Sequence, residues 1–204
     1  MDTMSENKIN GLTESFTRDE YNSPEIFNLE MEKIFGTNWC FAGRTDQLAH
    51  IGDRLVVDIG NESILILRNR ENELRAYYNV CQHRGSRLCD ASGSGFGAAI
   101  TCPYHSWSYS LDGALVATPL HEKDSIDRET LGLKSVHVDQ WQGCLFVSLQ
   151  TNPPALTDWL ENHYSRPREF EKFDMSSLRT ARTTIDEVSA NWKVLAENYS
   201  ECLH

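Results

Sequence analysis

Cys81-Gln82-His83-Arg84-Gly85-Ser86-Arg87 and, 18 intervening residues past His83, Cys102-Pro103-Tyr104-His105-Ser106-Trp107 are the two stretches on which the reading of this chain turns. Each pairs a thiol with an imidazole, and each stands next to a predicted strand. Tyr77 to Val80 leads into the first. The second is followed by Tyr109-Ser110-Leu111-Asp112-Gly113-Ala114-Leu115-Val116, a hairpin signal, because Asp-Gly accepts the positive φ of a type I′ turn. Loops held on a rigid sheet can converge, so the pattern brings two cysteines and two histidines towards one site.

From Trp39 to Leu149 the sequence alternates short apolar runs with turn residues: Leu55 to Ile59, Gly60-Asn61, Ile64 to Leu67, then Leu74 to Val80. Trp141 to Leu149 reads as a closing strand. These predict a mainly β, antiparallel domain. Before it, residues 1 to 22 are polar, and Ser23 with Pro24 offers an N-cap and a first helical position. A short helix should begin there, with Phe27, Met31, Ile34 and Phe35 on one face and Gly36 at its end. Asn152-Pro153-Pro154 breaks the sheet pattern, since neither proline can donate a ladder hydrogen bond. Beyond it the expectation is a helix over Leu156 to Tyr164, a strand over Arg179 to Val188 and a helix over Asn191 to His204. The domains predicted are therefore 1–38, 39–150 and 151–204. Ser92-Gly93-Ser94-Gly95-Phe96-Gly97 reads as a short flexible insert.

The composition sets outer limits. In 204 residues, 19 Lys and Arg stand against 30 Asp and Glu, a formal charge of −11, with no basic block to neutralise a run of phosphates. That argues against nucleic acid. Apolar residues make up 40% and the mean hydropathy is −0.48, which fits a chain that can bury a core. No stretch approaches the ~18 apolar residues of a membrane span. Met1 to Asn10 has no apolar segment of the kind a secretory signal needs, so a cytoplasmic protein is expected. In such a reducing compartment, six cysteines are thiols or metal ligands rather than disulfides.

Two thiolates beside two imidazoles suit either tetrahedral zinc or a Rieske 2Fe-2S centre, in which two His replace two Cys on one iron. Zinc fingers separate their first two ligands by about two to four residues. The single residue between Cys81 and His83 disfavours zinc. The two stretches resemble the N-terminal Rieske domain of the large (alpha) subunit of Rieske non-haem iron oxygenases of the aromatic-ring-hydroxylating type, over about residues 39 to 149. Two departures stand out. The family more often has Gly where Ser106 stands, and the segment between the ligand pairs is about a residue longer than usual. Respiratory Rieske proteins carry a cysteine where this chain has Ser86, and a serine that bonds the cluster where it has Trp107. With that hydrogen bond lost, a potential low in the Rieske range is expected. The resemblance implies that Cys81, His83, Cys102 and His105 hold the cluster.

Cys40, Cys89 and Cys144 lack partners at ligand spacing and read as buried thiols. His50, His121, His137 and His163 are isolated and read as surface or hydrogen-bonded histidines. In the last segment, Glu197, Glu201 and His204 fall on one helical face. Composition alone makes that a solvated acidic face. The stretch also looks like the family helix that begins Asn-Trp-Lys and carries an acidic residue three positions before a histidine. That resemblance implies Glu201 as a carboxylate bridging the two metal centres across a subunit interface, by way of His105. It implies His204 as the first ligand of a mononuclear Fe(II) with two histidines and one carboxylate. Glu at that place, in the run Asn198 to His204, looks closest to the group acting on quaternary ammonium compounds such as carnitine and glycine betaine.

The second histidine and the carboxylate would lie past His204, so the expected whole is a longer oxygenase with a truncated α+β catalytic domain starting here. Such a protein would use O2 and electrons from an NAD(P)H-dependent reductase or a ferredoxin. It would hydroxylate or demethylate a small organic substrate, a quaternary ammonium compound or otherwise an aromatic in catabolism, as a homotrimer. The alternatives are a stand-alone Rieske-type ferredoxin and a structural zinc module.

Overall fold

The computed structural model describes residues 8–9, 12–13, 15–93, 95–119, 121–122, 125–164 and 167–200. In chain order the strands and helices are β1 (Lys8–Ile9), β2 (Leu12–Thr13), α1 (Arg18–Asn22), α2 (Pro24–Glu30), β3 (Trp39–Arg44), β4 (Arg54–Ile59), β5 (Glu62–Arg68), β6 (Leu74–Tyr78), β7 (Ile100–Thr101), β8 (Ser108–Tyr109), β9 (Leu115–Ala117), β10 (Ser135–Trp141), β11 (Cys144–Ser148), α3 (Leu156–His163) and α4 (Trp192–Ser200). Contacts divide the chain into two units, one of Met1–Met31 with Thr184–His204 and one of Glu32–Thr183.

The larger unit is built on a six-stranded antiparallel sheet in the order β3-β11-β10-β6-β5-β4, with a second sheet of three strands, β7-β8-β9. The mainly β expectation holds. β5 lies second from the edge and is buried on both faces, which explains its unbroken apolar run. Leu65 and Leu67 face a core that holds Tyr77, Cys81, Cys102, Trp107 and Tyr109. Ile64 and Ile66 face another with Leu48, Leu55, Ala76, Val136, Leu145 and Val147. A third, smaller cluster forms where Leu156 and Leu160 of α3 cover Trp39.

Several local expectations change. The run Trp141 to Leu149 is a hairpin and not one strand: Trp141 pairs with Cys144, and Gln142 and Gly143 both take positive φ, 49° and 75°. That is the type I′ turn. At Asp112-Gly113 only Gly113 has positive φ, 81°. The loop there is longer, closed by Ser110 N–H to Ala114 O at 2.8 Å and Gly113 N–H to Ser110 O at 3.0 Å. Arg179 to Val188 forms no strand, since no neighbouring strand pairs with it among the described residues; Ile185 is 86% exposed. The glycine-rich insert is not a free linker. Gly93 and Arg54 exchange both backbone hydrogen bonds, at 2.8 and 2.9 Å, and Val56 N–H donates to Ser92 Oγ at 2.9 Å. The insert is thus laid along the outer side of β4, the last strand of the sheet.

In the smaller unit, Thr17 and Glu20 form a capping box that starts α1. Ser23 closes α1 and caps α2, with Pro24 in the first turn, as the sequence predicts. The apolar face expected over Phe27 to Phe35, whose residues from Glu32 on belong to the larger unit, is not a continuous buried stripe, because the chain leaves α geometry for a π-helical turn at Met31–Phe35. Phe27 is 38% and Ile34 40% exposed.

Candidate metal centre

The two Cys-His stretches fold as two copies of one backbone turn. Cys81 N–H donates to Ser86 O at 2.8 Å and Cys81 O accepts from Gly85 N–H at 3.0 Å. Cys102 N–H donates to Trp107 O at 2.8 Å and Cys102 O accepts from Ser106 N–H at 3.0 Å. The residues donating that fourth-position bond, Gly85 and Ser106, both sit at positive φ, 69° and 59°. The first loop leaves β6 and the second joins β7 to β8. Asn79, buried at the end of β6, braces the first: its side chain takes Cys89 N–H at 3.0 Å and donates to Cys89 O at 2.7 Å.

The turns bring like groups together. Cys81 and Cys102 are both 2% exposed and their thiols interact. The rings of His83 and His105 lie 4.8 Å apart, centre to centre, at 72°. Burial pushes the Cys81 thiol above its usual range, against the Tyr109 hydroxyl that lowers it. Burial also raises Cys102, but the amides of Tyr104 and His105 and the side chains of Cys81 and Ser86 outweigh it and the net shift is down. His83 is lowered, first by desolvation and then by its neighbours His105, Arg84 and His121, which disfavour a further positive charge there. It therefore favours the neutral imidazole that binds metal. His83 Nδ1 is buried without a hydrogen-bond partner among the described residues. A buried acceptor left unpaired is costly, and a metal would satisfy it. No three His, Cys, Asp or Glu side chains surround a single ion position among the described residues. A cluster that takes two protein ligands on each of two irons does not require that.

Three neighbours complete the site; the sequence places Trp107 beside the cluster in the second ligand stretch, but does not single out Tyr109 or His121. Tyr109 Oη accepts from Gln82 N–H at 3.1 Å and stands 3.2 Å from Cys81 Sγ, so its own proton is free for the sulfur. Trp107 stacks on His83 at 4.6 Å and 9°, 3% exposed. His121, expected to be an isolated histidine, packs edge-on against both His83 and Trp107 at 5.7 Å. Only the spacing of Tyr109 and Trp107 just after His105 could have pointed to them; nothing in the sequence marks His121. His50 pairs with Asp53, His137 bonds Thr151 O and His163 bonds Trp159 O, as expected of hydrogen-bonded histidines. Cys40, Cys89 and Cys144 are half-buried and not fully buried as read, because each lies at a strand end, edge or loop. Glu201, Cys202 and His204 lie outside the described residues; α4, which leads to them, is described to Ser200.

The model of the Rieske [2Fe-2S] domain family matches residues 38–141. The glycine betaine monooxygenase oxygenase subunit of Pseudomonas aeruginosa is 38% identical over 186 residues, 90% of this chain and 42% of that protein. The carnitine monooxygenase oxygenase subunit of Escherichia coli (strain K12) is 32% identical over 185 residues, 90% of this chain and 49% of that one. Among solved structures, a quaternary ammonium Rieske monooxygenase in complex with gamma-butyrobetaine superposes with a TM-score of 0.82 at 33% identity, over 92% of this chain and 53% of its own. Naphthalene 1,2-dioxygenase from Rhodococcus sp. gives 0.64 at 30% identity, over 69% and 33%. The chain thus spans about half the length of the oxygenase subunits it matches.

Proposed function

Because this chain belongs to the Rieske [2Fe-2S] domain family, we propose that Cys81 and Cys102 hold one iron of its cluster and His83 and His105 the other, and that it is the electron-relaying N-terminal part of an oxygenase subunit. The observation that carries this is the pair of matched turns. They set two thiols together and two imidazoles together, with His83 Nδ1 left buried and unpaired among the described residues. When bound, the cluster takes up and gives up one electron at a time. The protein's own groups hold it and tune it. The thiols bind as thiolates, the histidines as neutral rings, Tyr109 offers a proton to Cys81 Sγ, and Trp107 keeps water from His83.

In the longer protein the residues from 151 onward open the catalytic domain. There Glu201 would be the carboxylate between the two centres and His204 the first ligand of the mononuclear iron, which would supply the O2 chemistry. The names of the relatives favour a small quaternary ammonium compound as substrate, hydroxylated or demethylated. An NAD(P)H-dependent reductase or ferredoxin supplies electrons, and the assembly is a homotrimer. The five described cysteines are all free thiols, which suits the cytoplasm. Among the described residues no helix is long and apolar enough to cross a membrane.

The test is direct. Purified protein should hold iron and acid-labile sulfide in equal amounts, with the electron paramagnetic resonance of a reduced Rieske cluster. Cys81→Ser and His83→Ala should each abolish it. Zinc without sulfide, or full iron and sulfide in either variant, would refute the ligand set. For the substrate, the whole subunit with its reductase should consume NADH in response to glycine betaine or carnitine and not naphthalene; the reverse preference would overturn that assignment.

A further inference from the structure

In the smaller unit, one carboxylate takes the polar heads of two successive side chains of α4. Glu30, the last residue of α2, accepts from Lys193 Nζ at 2.5 Å on one oxygen and from Trp192 Nε1 at 2.9 Å on the other. Lys193 is only 4% exposed, so its ammonium has left water and depends on that partner. One helical turn on, Tyr21 Oη lies 2.7 Å from both oxygens of Glu197 and donates to that carboxylate. Ser15 Oγ supports the pair, 2.9 Å from Tyr21 Oη and 3.3 Å from Glu197. Just ahead of the helix, Asn191 Nδ2 donates to Tyr21 O at 3.0 Å. A single anchor would let a nine-residue helix roll or slide. Anchors at its start, its first turn and its second turn fix both motions.

We infer that Glu30 and Tyr21 are positioning residues that set the register of α4, and with it the register in which the chain goes on to Glu201 and His204. The roles of Glu201 and His204 are those proposed above; the clamp on α4 stands without them. Because Lys193 is buried, removing the charge on Glu30 strands a cation in the protein, and α4 must release it to water by opening. Tyr21 carries no charge and holds Glu197 by a single hydroxyl, so its loss should matter less and act further along the helix.

Amide hydrogen exchange of residues 193–200, measured on the cluster-loaded chain, tests this. Glu30→Gln should speed exchange across α4 by about 100-fold or more, the scale of a buried ion pair broken on one side. Tyr21→Phe should speed it about tenfold, concentrated beyond Ala196. Glu30→Gln with Lys193→Met leaves no charge buried and should return the rates towards wild type, a rescue that general misfolding would not allow. Unchanged exchange in Glu30→Gln, or a double variant as fast as Glu30→Gln, overturns the inference. The cluster's resonance is recorded on the same samples and should not change in any of them. Its absence from the wild type would instead defeat the proposed function, and the exchange rates would still report on the clamp because they do not depend on metal.

Discussion

Ser106 adopts the left-handed conformation at the place where Gly85 does so in the matching turn. A side chain there crowds the backbone, a strain of roughly 1–2 kcal/mol, partly offset because glycine would loosen the unfolded chain. Ser106→Gly should therefore stabilise the protein by about 0.5 kcal/mol, read as a higher urea midpoint at equal cluster loading; a lower midpoint would contradict the strain. This also accounts for the glycine the family more often carries there. Tyr109 bears on the potential. The sequence reading expects a low value because Trp107 replaces a hydrogen-bonding serine, yet the structure supplies a hydroxyl 3.2 Å from Cys81 Sγ. Tyr109→Phe should lower the potential by about 40 mV, the one-electron equivalent of about 1 kcal/mol. A potential that stayed put in redox titration would show that the hydroxyl does not reach the sulfur's charge. The four candidate ligands were legible because their chemistry is carried by type and spacing. Tyr109, Asn79 and His121 were not, since what they touch is decided by strands and loops distant in sequence.

Among the elements, the two hairpins show which local signals can be read. Asp112-Gly113 carries the favoured residues of a two-residue turn, but the strand on its near side bulges at Ser108/Tyr109 and the loop widens. Gln142-Gly143 makes the tight turn with a glutamine, which is not enriched at positive φ, so the strand before it, β10, went unread. Gln142→Asn should accordingly stabilise the hairpin by a few tenths of a kcal/mol, roughly. Gly143→Ala should destabilise it by about 1–3 kcal/mol. A methyl there would stand 3.0 Å from Ser176 Cα and 2.8 Å from Arg44 Nη2, at a backbone angle that suits glycine. Thermal melts of the two variants moving in opposite directions would bear this out; equal melting would show that the turn is not under strain. Helices were legible at their starts, where Ser23 and Pro24 act within one turn. The strand expected over Arg179 to Val188 failed because alternation makes a strand only where a partner edge exists.

Across the whole larger unit, one sheet serves two cores, and Tyr77 joins the first of them to the long loop after β8. Its hydroxyl donates to Leu111 O at 3.1 Å, and burial, with Asp112 adding to it, pushes its pKa up to about 12. A pKa raised on folding means the folded state holds the proton more tightly. The stability that follows is complete below about pH 10, the ordinary tyrosine value, and is lost as pH rises towards 12. Tyr109, raised by burial as well, acts in the same sense. Alkaline unfolding should begin near pH 10, and Tyr77→Phe should make it shallower; an unaltered alkaline limb in the variant would exclude Tyr77 as a source. The class of fold was legible because runs of apolar residues and turns accumulate over more than a hundred positions. The role of the glycine-rich insert was not, since small residues look the same whether they hang free or lie against a strand. Laid along β4, that insert occupies backbone groups that another molecule's strand could otherwise engage. Shortening it should therefore leave the core of the larger unit intact while letting β4 edges pair and the protein aggregate as concentration rises, so the few residues that look most dispensable are what shield that edge from stray pairing.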